Sequence, residues 1–529
     1  MMKKILVLIM VVFMAVLSSC DNNDLKENKY SFDLTLEEMS TLRESLVFDF
    51  VLSDEDNLLK NSEVSYTVVE KETEKTVKSG TLTIASDNKS TLTVSGLTAD
   101  TTYDVTFTAG YKGKNILLMK KEITTSNLGT AEHPYEISNV TDLKNFIAND
   151  RTASFKLTKD IDLEGKFITP ICKSSSTFSG TFDGNGYAIK NFKTGTAENP
   201  TSLSGTAYGG LFGYVSAKGT IKNLKFDGVE LYLSRSSSAS IAVVAGYNAG
   251  VIDNVDITNA KLYFKGSSYR DYYVGSVVAY NADHGTVKNC DVECDIELTT
   301  TTGNFIAGGI IGYNESEAEL PIRNIVEDCT YKGKISLTSS GTATQKIEIA
   351  LGGIAGRNYS TIRNCSAEVD FVVKAETSKA SSNEEDLTEI KDYRVLVGGV
   401  AGHNVSDSAL LANCNVTASF DVEAKYAGKV YVGSLLGQNG ARENSKASIK
   451  NCAYTLPTDA VNKVSALNHT ADATVNCGLI GKDLATQSGL TTNAHSFTVE
   501  YYHYVKDDAD KNVLELETTE TINVVEISE

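Results

Sequence analysis

Short runs along most of this chain alternate apolar and polar residues. Ile221-Lys222-Asn223-Leu224-Lys225-Phe226 and Ile252-Asp253-Asn254-Val255-Asp256-Ile257 both do so. Such alternation predicts a strand with one buried face. Other runs, such as Gly309-Ile310-Ile311-Gly312, are apolar or small throughout. They read as strands packed closely on both sides. No helical period of useful length separates these runs, so the fold class is all-β.

The runs recur as one phrase: a Gly-rich apolar step, Asn, a few polar residues, then Ile-x-Asn-Cys. Leu351-Gly352-Gly353-Ile354-Ala355-Gly356-Arg357-Asn358 leads into Ile362-Arg363-Asn364-Cys365. Val397-Gly398-Gly399-Val400-Ala401-Gly402-His403-Asn404 precedes Leu411-Ala412-Asn413-Cys414. Gly213, Gly246, Ala279 and Gly312 stand at one position of the phrase and are 33 residues apart. Later copies at Gly356, Gly402, Gly437 and Gly481 are separated by 44, 46, 35 and 44 residues. A constant phrase at variable spacing confines insertions to loops. Such a period marks a solenoid. About 33 residues hold roughly three strands of about 5–6 residues plus turns, which predicts a parallel β-helix.

In that stack each residue lies about 4.8 Å from its counterpart in the next coil. The residue after the second Asn forms the column Leu224, Val255, Cys290, Cys329, Cys365, Cys414, Cys452. It is apolar throughout and therefore faces inward. The Asn column reads Asn223, Asn254, Asn289, Asp328, Asn364, Asn413, Asn451. Stacked Asn side chains can hydrogen-bond along the coil axis.

The phrase resembles the GLUG motif of large bacterial surface proteins, over residues 129–481. A lead-in segment supports the likeness: Pro134-Tyr135-Glu136-Ile137, Lys159-Asp160-Ile161-Asp162-Leu163 and Phe178-Ser179-Gly180-Thr181-Phe182-Asp183-Gly184-Asn185-Gly186-Tyr187. The resemblance implies architecture and a surface role, and it implies no particular chemistry.

The N-terminus reads as an export signal. Lys3 and Lys4 precede an apolar run from Ile5 to Leu17. That run is too short for a bilayer, which takes about 20 residues, so it is read as a signal peptide. Leu17-Ser18-Ser19-Cys20 resembles a bacterial lipobox, which makes Cys20 the lipid attachment site. Acyl chains at about 0.8 kcal/mol per buried CH₂ would hold it in the bilayer. Asp21-Asn22-Asn23-Asp24 resembles the signal that sends lipoproteins to the outer face of the outer membrane. The expected divisions are a signal at 1–19, a tether at 20–29, a first domain at 30–127, a β-helix at 128–495 and a β cap at 496–529.

The first domain lacks the repeat. Thr91-Leu92-Thr93-Val94-Ser95-Gly96-Leu97 followed by Tyr103-Asp104-Val105-Thr106-Phe107 resembles the fibronectin type III pattern, with Tyr103 as a corner residue. With no Trp in the chain, an Ig-like sandwich is the safer expectation. A net charge of −19 and the absence of a basic patch argue against nucleic acid as a partner.

Candidate chemistry is sparse. No nucleophile elbow, His-Glu-x-x-His pair or phosphate loop is present, so no catalytic residue is assigned. The cysteines lack the paired spacing of a zinc site, and Asp160-x-Asp162-x-Glu164 lacks the final ligand of a calcium loop. Neither a metal nor a cofactor is expected. The aromatic group Tyr269, Tyr272 and Tyr273, beside Arg270 and Asp271, is the candidate ligand site, because rings with polar rims suit sugars and proteins. Tyr501, Tyr502, His503 and Tyr504 form a second group, and the insertion at residues 379–392 is a third surface. The expected role is non-enzymatic: a surface lipoprotein presenting a β-helix for adhesion to host or bacterial proteins or glycans. Glycan binding on the Tyr-rich loops, and less so a polysaccharide lyase or glycosidase, are the alternatives.

Overall fold

The computed structural model describes residues 32–527 apart from 42–43, 57, 60–62, 83–87, 167–168, 204–206, 268, 316–323, 341, 344–345, 380–389, 459, 468–473 and 507–511. Cys20, the signal, the tether and most of the 379–392 insertion lie outside the described residues. The chain divides into two compact units, Met1–Thr130 and Ala131–Glu529.

The first unit holds seven strands: β1 (Phe32–Thr41), β2 (Ser45–Asp54), β3 (Val64–Glu70), β4 (Lys75–Leu82), β5 (Lys89–Ser95), β6 (Thr102–Tyr111) and β7 (Lys114–Thr124). They form two antiparallel sheets, ordered β1-β2-β5 and β4-β3-β6-β7. Strict alternation buries Leu92 and Val94 from one sheet and Tyr103, Val105 and Phe107 from the other in one core. Phe50 and Phe107 meet across it at 4.8 Å. Tyr103 is buried, and its hydroxyl accepts a 2.8 Å bond from the Thr98 amide, which fixes the turn into β6.

The second unit is a parallel β-helix. Its clearest coil runs through Asp291–Thr300, Asn304–Gly308, Ile311–Asn314 and Ile325–Glu327. We call the rows that stack on these strands one to four. The sequence predicts three strands per coil, and the structure has four. The apolar run around Gly308-Gly309-Ile310 is broken by a corner, so it supplies rows two and three. These two rows form a 14-stranded sheet, and rows one and four belong to a 25-stranded sheet. Successive coils pair in parallel and in register. In row four, Phe182, Ile221, Ile252, Val287, Val326, Ile362, Leu411 and Ile449 follow one another. All eight are buried.

Between rows four and one the chain turns sharply. Asn223, Asn254, Asn289, Asp328, Asn364, Asn413 and Asn451 all take left-handed conformations there, with φ between 50° and 57°. Asn and Asp tolerate this region better than other side-chain-bearing residues. The next residue then points inward, and Leu224, Val255, Cys290, Cys329, Cys365, Cys414 and Cys452 are all buried. The corner side chains bond along the axis: Asn254 donates to Asn223, Asn364 to Asp328, Asn413 to Asn364 and Asn451 to Asn413, at 2.9–3.3 Å. Asn289 departs from the series and donates to Asp253.

A second Asn column lies inside. Asn248, Asn281, Asn314, Asn358, Asn404 and Asn439 end row three and are fully buried. Each donates Nδ2 to the next Oδ1 at 2.8–3.0 Å, and Asn439 ends the series on Asp483 at 3.1 Å. This ladder points toward the C-terminus, whereas the corner ladder points the other way.

The repeating Gly of row three has a steric cause. A Cβ on Gly356 would sit 2.5 Å from the Ala307 amide nitrogen in row two of the preceding coil. Rows two and three therefore approach backbone to backbone.

The sequence shows no helix, yet α1 spans Val140–Asn149 before the first coil. Asn139 caps it, accepting from the Thr141 and Asp142 amides at 2.9 Å each. Leu143 and Ile147 lie on one face and are buried in the solenoid core. At ten residues the helix has too few turns to show a period. At the other end, His495–Lys506 pairs in parallel with Asn462–Leu467 and antiparallel with Asn512–Val524. The last strand carries Glu515, Glu517 and Glu520, and charge on an outer strand discourages further pairing.

The two ladders predict different sensitivities. Asn358→Asp keeps the shape but removes the donor that serves Asn404 and the Ser360 carbonyl, inside the core. It should cost about 2–3 kcal/mol in urea unfolding. Asn364→Asp on the exposed corner copies what Asp328 already does, and should stay within about 0.5 kcal/mol. Equal costs would contradict the division of labour.

Candidate functional site

Row three presents one residue outward just before its buried Asn. Down the coils this residue is Tyr214, Tyr247, Tyr280, Tyr313, Arg357, His403 and Gln438. Parallel in-register pairing places each above the last. The four tyrosines accordingly stack: centroids are 4.2, 5.4 and 4.8 Å apart and the ring planes lie within 16°. Row two contributes Tyr208 and Tyr273 on the same side. Tyr273 meets Tyr280 edge-on at 5.0 Å and Tyr313 at 5.2 Å, and Tyr208 meets Tyr214 at 5.9 Å.

A cleft of about 400 Å³ opens along these rings, bounded by Tyr208, Ser240, Tyr247, Tyr273, Tyr280 and Glu315. The tyrosines are half-buried, so ring area stays available. Their hydroxyls are oriented by acids: Tyr247 donates to Asp283 at 2.6 Å and Tyr280 to Glu315 at 2.8 Å. Partial burial, and then these carboxylates, raise both phenols above their ordinary value. Tyr273 is pushed up to about 12, first by burial and then by Asp271. The rings are therefore neutral donors and apolar platforms.

Further along, row two buries Ile306, Ala350, Leu396 and Tyr431 in a small outer cluster, against which Tyr273 and Tyr313 pack. Beside it stands a charged group. Glu348 is 2% exposed and accepts from both the Arg357 and Arg394 guanidinium groups, one on each carboxylate oxygen. Burial pulls its carboxyl upward, and the two arginines outweigh this and hold it below its ordinary value. His403 follows Arg357 in row three and is 4% exposed. Burial lowers its pKa to about 4, so it is neutral at physiological pH. Its Nε2 faces the Gly440 carbonyl at 3.3 Å. His403 Nδ1, Arg357 Nε and Arg394 Nε are buried and have no partner among the described residues.

The expected platform of Tyr269, Tyr272 and Tyr273 is corrected. Tyr272 and Tyr273 are adjacent on one strand and point to opposite sides. Tyr272 is fully buried in the core, with Phe264 at 5.3 Å and Phe305 at 5.2 Å. Tyr269 is 38% exposed in the preceding loop, Arg270 is exposed, and Asp271 accepts from Asn304 at 2.8 Å. Only Tyr273 reaches the cleft. The signal for the cleft was present in the phrase itself, as Gly-Tyr-Asn at 246–248 and 312–314 and Ala-Tyr-Asn at 279–281. In the C-terminal aromatic group Tyr501 is buried and Tyr502 is half-buried, again on alternate sides.

The eight described cysteines are free. Burial raises Cys172, Cys294 and Cys477 to about 12. In the corner column the neighbouring thiol is the first cause, and burial adds to it: Cys329 and Cys365 are raised well above the ordinary value. Each column thiol donates to a carbonyl two residues back, at 3.1–3.4 Å. Such thiols are packing groups and poor nucleophiles. Among the described residues no group of three or more His, Cys, Asp or Glu side chains could hold a metal ion.

Comparison with known proteins gives one family match: the GLUG motif, at residues 348–372. This stretch contains Glu348 and Arg357. Two relatives share part of the chain. A protein named as a Gly-rich membrane protein, from Evansella cellulosilytica, is 33% identical over 138 residues, which cover 24% of this chain and 15% of that protein. Halomucin of Haloquadratum walsbyi is 30% identical over 145 residues, covering 25% of this chain and 2% of its own. The chain thus spans a small fraction of either relative's length. Among solved structures, the sensor domain of the anti-sigma factor RsgI4 of Pseudobacteroides cellulosolvens overlaps 18% of this chain and 74% of its own, at 13% identity and a TM-score of 0.15. That overlap carries no argument.

His403 gives the site a pH signature. With its folded pKa near 4 against 6.5 when unfolded, the unfolded chain binds the extra proton between those values. Stability therefore falls as pH drops from 6.5 toward 4, by up to about 3 kcal/mol. His403→Gln, the residue that Gln438 supplies one coil later, should flatten this slope in unfolding curves taken across that window. An unchanged slope would mean that the imidazole is not buried and neutral.

Proposed function

We propose that this protein is a non-enzymatic cell-surface lipoprotein, held in the outer membrane through Cys20 and facing outward, that adheres to glycans through the tyrosine cleft. The observation that carries the reading is the stack Tyr214–Tyr247–Tyr280–Tyr313, half-exposed and edged by Tyr208 and Tyr273. Rings held at fixed spacing by a rigid solenoid offer apolar faces without an ordering cost at binding. Acid-oriented hydroxyls along the rim supply directional hydrogen bonds. The GLUG match and the relative named as a membrane protein support a place in the cell envelope. The first unit, with its two antiparallel sheets and its Tyr103 corner, suits a fibronectin-like spacer between lipid and solenoid.

The test uses the protein lacking residues 1–20 on glycan and matrix-protein arrays. Tyr247→Leu with Tyr280→Leu keeps apolar bulk and removes rings and hydroxyls. Binding to the captured glycan should weaken by at least about tenfold, since base–aromatic and comparable stacking contacts are worth about 1–3 kcal/mol each. The bound polysaccharide should keep its chain length. Undiminished binding by the double variant, or shortening of the polysaccharide, would overturn the proposal.

A further inference from the structure

The cleft changes character along its length. Its floor is tyrosine through four coils, and at the fifth the same position is Arg357. Arg357 is in register with Tyr313 and lies close enough to Tyr273 to lower the raised pKa of that phenol slightly. Row two shows a parallel change. Asp271, Asn304, Glu348, Arg394 and Lys429 follow one another, so the sign turns from acidic to basic. In row three Gln438 is followed by Lys482. Basic side chains thus gather at one end of the cleft, in a chain that carries 68 acidic and 49 basic residues.

The two arginines are more than Glu348 needs. One carboxylate neutralises one guanidinium, and His403 is neutral, so Glu348, Arg357, Arg394 and His403 together carry one positive charge. Both Arg Nε groups and His403 Nδ1 also lack partners. Buried donors of this kind are costly unless an acceptor arrives. The Arg357 and Arg394 side chains remain 20% and 23% exposed, so an acceptor can reach them. Planar guanidinium groups match the geometry of a carboxylate, which takes two parallel bonds.

We propose that Arg357 and Arg394, poised by Glu348, form the anion subsite of the cleft, and that they recognise the carboxylate of a uronic-acid glycan whose rings lie on the tyrosines. This rests on the proposed glycan reading and deepens it. Glu348 acts here as an internal carboxylate that holds both arginines in place and competes with the ligand's own acid.

Titration calorimetry on the protein lacking residues 1–20 tests it, with galacturonate, mannuronate and hyaluronan hexasaccharides as probes, each beside its methyl ester. The acid form of at least one probe should bind at least about tenfold tighter than its ester, the value of one charge-assisted hydrogen bond. Arg394→Gln should remove that preference. Glu348→Gln should strengthen binding of the acid form, because it frees both guanidinium groups, and a merely structural role would weaken it. Thermal unfolding of each variant identifies any that fail to fold, and Arg394→Lys, which keeps the charge but loses the planar fork, then stands in for Arg394→Gln. Equal affinity for acid and ester, lost on Tyr247→Leu, would overturn the subsite and leave the glycan reading standing. No binding of any probe would overturn the subsite as well. A penta-glutamate peptide that bound as tightly as the uronates, and did so without the tyrosines, would reassign the arginines to an acidic protein partner.

Discussion

The buried asparagine ladder is the constraint on which the rest of the solenoid depends. A core built from apolar columns alone would let one coil slide or rotate against the next at little cost. Asn248, Asn281, Asn314, Asn358, Asn404 and Asn439 prevent this, because each amide must find the next carbonyl oxygen in a place that water does not reach. An unmade bond there costs about 1–3 kcal/mol, several times what the same bond is worth at the surface. The series also absorbs loops of different length. Steps of 33 residues and of 44 or 46 residues return the chain to the same rung, so insertions leave the register intact.

The cleft follows from that register. The ladder residue fixes the strand, and its neighbour one position earlier must then point outward above the same neighbour of the previous coil. Where that neighbour is Tyr, rings stack, and where it becomes Arg357 the stack ends in charge. The close approach of rows two and three, which needs the repeating glycine, brings Tyr208 and Tyr273 against the stack. A binding surface can thus vary from coil to coil while its scaffold stays constant.

Much of this was legible in the sequence. The repeat, the parallel stacking and the inward column from Leu224 to Cys452 all follow from a phrase that recurs, and the left-handed corner explains why Asn or Asp fills it. What escaped has physical causes. Rows two and three read as one apolar run because a Gly-Gly corner leaves no polar punctuation. The helix α1 is too short to display a period. Tyr272 and Tyr273 read as one cluster because proximity along the chain does not reveal side, although strand alternation forbids neighbours from sharing a face. The charged group joins Glu348, Arg357, Arg394 and His403 from three coils, and only the pairing register shows that they meet.

The claim that the ladder sets the register can be measured directly by removing one coil. Deleting residues 249–281 joins Asn248 to Ala282 and takes out 33 residues with one rung, so Asn248 inherits the position of Asn281. Deleting residues 249–280 removes one residue fewer and displaces the rung. Urea unfolding of both proteins decides the matter. The account predicts that the 33-residue deletion unfolds cooperatively at a midpoint near that of the parent, whereas the 32-residue deletion unfolds at a much lower midpoint or over a broadened transition. Indistinguishable midpoints for the two deletions would contradict it.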